Sequence, residues 1–203
     1  MEIREYKDIK NDFDLNVKRV RNLCLIYEVI KNEQLTSKEI LNTDILRSAV
    51  VMLHSSFEEY YRSILFNLLT SDYDVETIEK IQNLNGKRQQ KIELSDLIKY
   101  QQKTIDEYIC SIISEQIDKA SFSNYSKICN WAKIANIDLK NFKKVEQINN
   151  MAERRHKIVH FADMSSNDKT NRTKQIKLEV IEKWIDTVCE LIEMIDDEIR
   201  KRN

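Results

Sequence analysis

Ile181-Glu182-Lys183-Trp184-Ile185-Asp186-Thr187-Val188-Cys189-Glu190-Leu191-Ile192-Glu193-Met194-Ile195-Asp196-Asp197-Glu198-Ile199 reads as successive turns of one amphipathic helix. Ile181, Trp184, Val188, Leu191, Ile195 and Ile199 recur three or four positions apart, the spacing that gathers apolar side chains on one helix face. The spacing predicts a final helix over about 176–201. The same periodicity runs upstream. Phe13, Val17, Val20, Cys24, Tyr27 and Ile30 predict a first helix over about 3–32. Leu46, Val50, Leu53, Phe57, Tyr61, Ile64 and Leu68 predict a second over about 44–70, with Asn42, Thr43 and Asp44 as caps. Leu94, Leu97, Ile98, Ile105, Tyr108, Ile112 and Ile113 predict a third over about 92–119, and a fourth spans about 140–162. Shorter helices are expected near Val75–Leu84, stopped by Gly86, and within Ser121–Asp138.

The 203 residues contain one glycine and no proline, the residues that supply most turns of sheet-rich folds. With 33% of residues charged, the composition is that of amphipathic helices laid side by side. The fold expected is all-α: an antiparallel bundle of about five long helices with short connecting helices, residues 1–203 forming a single domain. The segment Asp163–Asn171 joins the last two long helices as a polar, exposed loop.

A net charge of −1 and a pI near 6.4 provide no global basic field, so any nucleic-acid contact must be local. Cys24, Cys110, Cys129 and Cys189 lie far apart among apolar neighbours, as buried free thiols of a reducing compartment do. The opening run Met1-Glu2-Ile3-Arg4-Glu5-Tyr6 has no apolar signal core, and no window suits a membrane span. A soluble cytoplasmic protein without membrane contact is expected.

Chemistry concentrates in Ala152-Glu153-Arg154-Arg155-His156-Lys157-Ile158-Val159-His160-Phe161, which holds two of the three histidines. His156 and His160 are spaced i, i+4 and share a helix face, as zinc-binding pairs do, with Glu153 within reach as a third ligand. No His-Glu-x-x-His pattern is present and Lys157 lies in the same turn, so neither a metal nor any other cofactor is expected.

Arg155, His156 and His160 together resemble the signature of the HEPN superfamily: an arginine, usually followed by Asn, Asp or His, then a histidine after four to six intervening residues. The register from Arg154 to His160 also matches. Arg155 is preferred because His156 then fills the polar slot. Leu46-Arg47-Ser48-Ala49-Val50-Val51-Met52-Leu53-His54-Ser55-Ser56-Phe57-Glu58-Glu59-Tyr60-Tyr61 looks like the early long helix of stand-alone bacterial HEPN nucleases, in which an apolar run leads into an aromatic-Glu pair. The resemblance implies a ribonuclease with Arg155, His160 and His156 as catalytic residues, acting as a homodimer with a composite cleft, in a toxin–antitoxin or anti-phage setting with an antitoxin or defence partner. Some HEPN toxins carry a tyrosine two places after the histidine, where a partner nucleotidyltransferase modifies it. Ala162 stands there, so the resemblance does not extend to that mode of silencing.

The residue types suit the chemistry. RNA carries its own nucleophile, the 2′-hydroxyl. An imidazole titrating near neutrality serves as acid or base, and a permanently charged guanidinium grips two phosphoryl oxygens. No metal is needed, the products are a 2′,3′-cyclic phosphate and a 5′-hydroxyl, and DNA is not a substrate. Arg155 and His160 lie about 140° apart around one helix, so they point different ways within one chain. His54, Glu58 and Arg62 form a polar stripe on the second helix. They either support the catalytic groups together with Arg154, or form an exposed face with a Glu58–Arg62 ion pair. Lys144 and Lys157, with Lys87 and Arg88, are candidate RNA-binding cations. Trp131 and Trp184 sit in apolar patterns and are expected in the core. The alternative reading is a non-catalytic HEPN-like module that binds RNA, a nucleotide or a protein without turnover.

Overall fold

In the computed structural model, residues 1–33, 39–84, 98, 101, 103–164 and 175–202 are described, with the side chains of 39–42 left out. Among them stand seven helices and no strand element: α1 (Tyr6–Asn32), α2 (Glu39–Ser71), α3 (Val75–Leu84), α4 (Ile105–Lys119), α5 (Tyr125–Ile134), α6 (Val145–Phe161) and α7 (Leu178–Arg200). The all-α bundle expected from the periodicity is present. No helix among the described residues is long and apolar enough to cross a membrane.

α2 is the axis of the bundle. Its 33 residues extend roughly 50 Å, and it touches α1, α4, α6 and α7. A helix with neighbours on several sides must be apolar nearly all round. Ala49, Tyr60, Leu65, Phe66 and Leu69 are accordingly buried beside the predicted seam of Leu46, Val50, Leu53, Phe57, Tyr61 and Ile64. Aromatic rings tie the layers together: Phe13 of α1 meets Tyr60 edge-on at 5.4 Å, and Tyr61 meets Phe122 at 5.0 Å. The Tyr61 hydroxyl donates to the Ile128 carbonyl at 2.8 Å, and the Tyr60 hydroxyl donates to buried Asp196 of α7. Trp131 and Trp184 lie in the core. Of the cysteines, Cys24 is buried and the other three are partly exposed, all as free thiols.

Several predicted boundaries shift. α2 begins at Glu39, so Asn42, Thr43 and Asp44 lie inside the helix and do not cap it. The third long helix begins only at Ile105, because Thr104 takes an extended conformation (ψ 163°) that ends any helix running into it. Thr104 and Glu107 form a reciprocal capping box: the Glu107 N–H donates to Thr104 Oγ1 at 3.1 Å, and the Thr104 N–H donates to Glu107 Oε2 at 2.7 Å. Ile98 and Ile105, expected in a buried seam, are 64% and 78% exposed. Leu94, Leu97 and the Gly86 stop fall outside the described residues. α6 starts at Val145 rather than near 140, after a turn that buries Leu139 and Phe142.

Left-handed residues shape two helix ends. After α5, Asn136 has φ 55°; its N–H donates to the Lys133 carbonyl at 3.2 Å, and the Ile137 N–H donates to Ala132 at 2.7 Å, a Schellman closure. After α6, both Ala162 (φ 48°) and Asp163 (φ 58°) are left-handed, and the Asp163 N–H donates to the Lys157 carbonyl at 3.0 Å. Asparagine and aspartate tolerate this region, whereas alanine is strained there by about 1–2 kcal/mol. Ala162→Gly is therefore expected to stabilise the protein by about 0.5 kcal/mol after the entropic cost of glycine, read as a higher urea midpoint with an unchanged m-value.

Candidate active site

The site is built where the last turns of α6 pass the first half of α2. α6 buries Ile148, Met151 and Ala152, and the rotation that seats them also sends Arg154 inward to 8% exposure. A buried guanidinium requires a counter-charge. Asp163 supplies it: the two left-handed residues turn the chain back so that this carboxylate, 1% exposed, lies between α6 and α2. Arg154 Nη2 donates to Asp163 Oδ2 at 2.6 Å, and Arg47 Nε of α2 donates to the same oxygen at 2.8 Å. Arg47 Nη1 further donates to Thr43 Oγ1 at 2.8 Å and to Asp44 Oδ1 at 3.1 Å. Burial pulls the Arg154 guanidinium below its ordinary range, and Asp163 opposes that pull. The expectation that Asp163 opens an exposed loop is thus overturned, since two arginines hold it inside. Residues 165–171 of that loop fall outside the described residues.

Arg155, one position on, is half-buried, and its charge acts on Glu58 of α2. Its Nε is buried without a hydrogen-bond partner among the described residues. His54, one turn before Glu58, is buried, and its Nδ1 stands 3.5 Å from Glu58 Oε2. That separation is the outer limit of a hydrogen bond, and both the contact and the charge of the imidazole act to lower the Glu58 carboxyl. Burial pushes the Glu58 carboxyl up, but His54, Arg62 and Arg155 together bring it below the ordinary carboxylate range.

A depressed carboxyl in the folded state stabilises the protein above the ordinary glutamate value, and that contribution is lost as the pH falls through the folded value. Glu58→Gln is therefore expected to flatten the loss of stability below about pH 4.3, measured as urea midpoints at neutral and acid pH. An unchanged acid slope would count against this account of the Glu58 environment.

The alternative of an exposed Glu58–Arg62 pair is not what forms. Arg62 turns to the end of α4, where Nη1 donates to the carbonyls of Ile117 and Asp118 and Nη2 donates to Ala120 at 2.7 Å, with the guanidinium 4.8 Å above the Phe122 ring. It acts as a C-terminal cap between helices, and the stripe is largely buried at His54 and Glu58.

His156 and His160 lie on the outer face of α6, both exposed, with ring centroids 4.6 Å apart. Phe161 stands edge-on to His156 at 5.7 Å and, with Val159, is exposed beside the histidines. Arg155 and His160 thus occupy different sides of the helix, as their spacing requires. No hydrogen bond joins them among the described residues. Nor does any group of three or more His, Cys, Asp or Glu stand placed to hold a metal ion among the described residues. Lys144 pairs with Glu190 of α7 and Lys157 with Glu153. Both pairs are at the surface, where such pairs are worth little. Lys87 and Arg88 lie outside the described residues.

Arg47 and Asp163 were not anticipated from the sequence. Arg47 sits within an apolar run and Asp163 directly after a helix end. A charged residue interrupting a buried face is the signal that a partner must exist, but the partner's identity depends on the backward turn at Ala162.

Residues 5–201 match the family model described as RiboL-PSP-HEPN. No curated protein and no solved structure matches the chain.

Proposed function

The chain belongs to the RiboL-PSP-HEPN family, and we propose that it is a metal-independent endoribonuclease, residues 1–203 forming one such domain, with Arg155 and His160 as its catalytic pair and His156 beside them. One observation carries the assignment. Of two adjacent arginines, Arg154 is held in a buried ion cluster, whereas Arg155 remains at the helix end that exposes both histidines. This favours the Arg155 register.

In the reaction, the 2′-hydroxyl attacks the neighbouring phosphorus and the P–O5′ bond breaks. One imidazole takes the hydroxyl proton and another returns a proton to the departing 5′-oxygen, while the guanidinium bears the charge accumulating on the non-bridging oxygens. Arg155 and His160 diverge within one chain, so a twofold pair of chains would bring the arginine and histidines of both copies to a common cleft. Exposed Val159 and Phe161 offer apolar contact at such a junction. Lys144 and Lys157 would then guide the phosphate backbone. A conflict role, as a toxin or anti-phage effector with a dedicated partner, fits a nuclease of this class.

The test is incubation of the purified protein with a single-stranded RNA and the matching DNA in EDTA, followed by analysis of the product ends. Cleavage of RNA alone, leaving a 2′,3′-cyclic phosphate, supports the proposal. RNA binding without cleavage would replace it with the non-catalytic reading, and cleavage only without chelator would return attention to His156 and His160 as metal ligands.

A further inference from the structure

Within that reading of the site, we infer that Asp163 is a positioning residue for the catalytic helix end. A single carboxylate oxygen receives one guanidinium from α2 and one from α6, at 2.8 and 2.6 Å, so one buried point pins the two helices together. The point lies next to the chemistry in sequence: Arg154 immediately precedes Arg155, and Asp163 follows His160 by three residues.

Charge-assisted bonds are directional, whereas the burial of apolar surface is not. Helix α6 could bury Ile148, Met151 and Ala152 over a range of small axial rotations. A guanidinium meeting a fixed oxygen at 2.6 Å selects one of them. That rotation leaves Arg155 half-buried, with its charge acting on Glu58, and leaves His156 and His160 exposed side by side. Arg47 is itself braced by Thr43 and Asp44, so the α2 end of the pin is fixed as well. The backbone supports the same placement. Two consecutive left-handed residues, neither of them glycine, hold Asp163 in place, and its second oxygen, Oδ1, is buried with no hydrogen-bond partner among the described residues. Such local cost is sustained where the surrounding structure depends on the position.

The cluster's contribution is orientation more than net stability, because replacing a buried ion group as a whole by neutral residues is often tolerated. This separates positioning from mere structural support. Asp163→Asn keeps a residue suited to positive φ but removes the charged oxygen that the two buried arginines share. The triple variant Arg47→Met, Arg154→Met, Asp163→Asn removes the charges together and serves if the single variant fails to fold. With the fold verified by circular dichroism and thermal melting, the triple variant is expected to cleave RNA with a kcat on the order of 10²-fold lower and a KM within about twofold of the parent. Its His156 and His160 imidazole NMR signals are expected to shift or broaden. A folded triple variant with parental kcat and parental imidazole signals would overturn the inference. If the parent itself cuts no RNA, the nuclease reading fails and the imidazole signals alone decide: changed signals sustain the positioning role and unchanged signals end it.

Discussion

His160→Ala is expected to reduce RNA cleavage in EDTA by roughly 10²–10⁴-fold while leaving the thermal midpoint within about a degree of the parent. The size follows from removing a proton-transfer group, and the preserved stability follows from exposure: the ring lies on the outer face of α6 beside His156, itself exposed. His156→Ala should show a smaller loss, since His160 remains to carry one proton transfer. In a two-copy site the loss is best measured with both copies altered, because a mixed dimer keeps one intact imidazole. Parental cleavage by His160→Ala in chelator would remove it from the mechanism.

The second large effect separates the adjacent arginines. Arg154→Ala is expected to cost about 3 kcal/mol of stability, because Asp163 keeps only Arg47 as a charged partner at a position closed to water, and the buried guanidinium leaves a void. Arg155→Ala should cost less than about 1 kcal/mol, since it removes only a half-exposed charge near Glu58. Cleavage should nevertheless fall by about 10²–10³-fold in Arg155→Ala through loss of phosphoryl-oxygen stabilisation. The measurement is a urea melt beside a cleavage assay for each purified variant. If Arg155→Ala destabilised the protein and Arg154→Ala did not, the assignment of the two registers would be reversed.

Both effects depend on how α6 is rotated against α2, and that rotation was only partly legible beforehand. The apolar spacing of α1, α2 and α7 identified each helix and most of its buried face: Phe13, Leu53 and Val188 lie in the core as their spacing requires. The pattern misled in two ways. The run from Leu94 to Ile113 was periodic enough to suggest one helix, although Thr104-Ile105-Asp106-Glu107 carried a capping-box signature that marked a new start. The polar composition after Phe161 suggested a wholly exposed loop, whereas two arginines draw its first aspartate inside.

From the sequence alone came the all-α class, the identity of the principal helices and the segment in which arginines and histidines crowd together, because helical periodicity and composition are local properties. Only the tertiary structure decided that Arg154 is buried and Arg155 is not, that Arg62 caps α4 instead of pairing with Glu58, and that Asp163 joins α2 to α6. Each of those outcomes depends on groups distant in the chain, Arg47 and Asp163 being 116 residues apart. The physical reason is that a buried charge is stable only beside its counter-charge, and which groups meet is settled when helices pack.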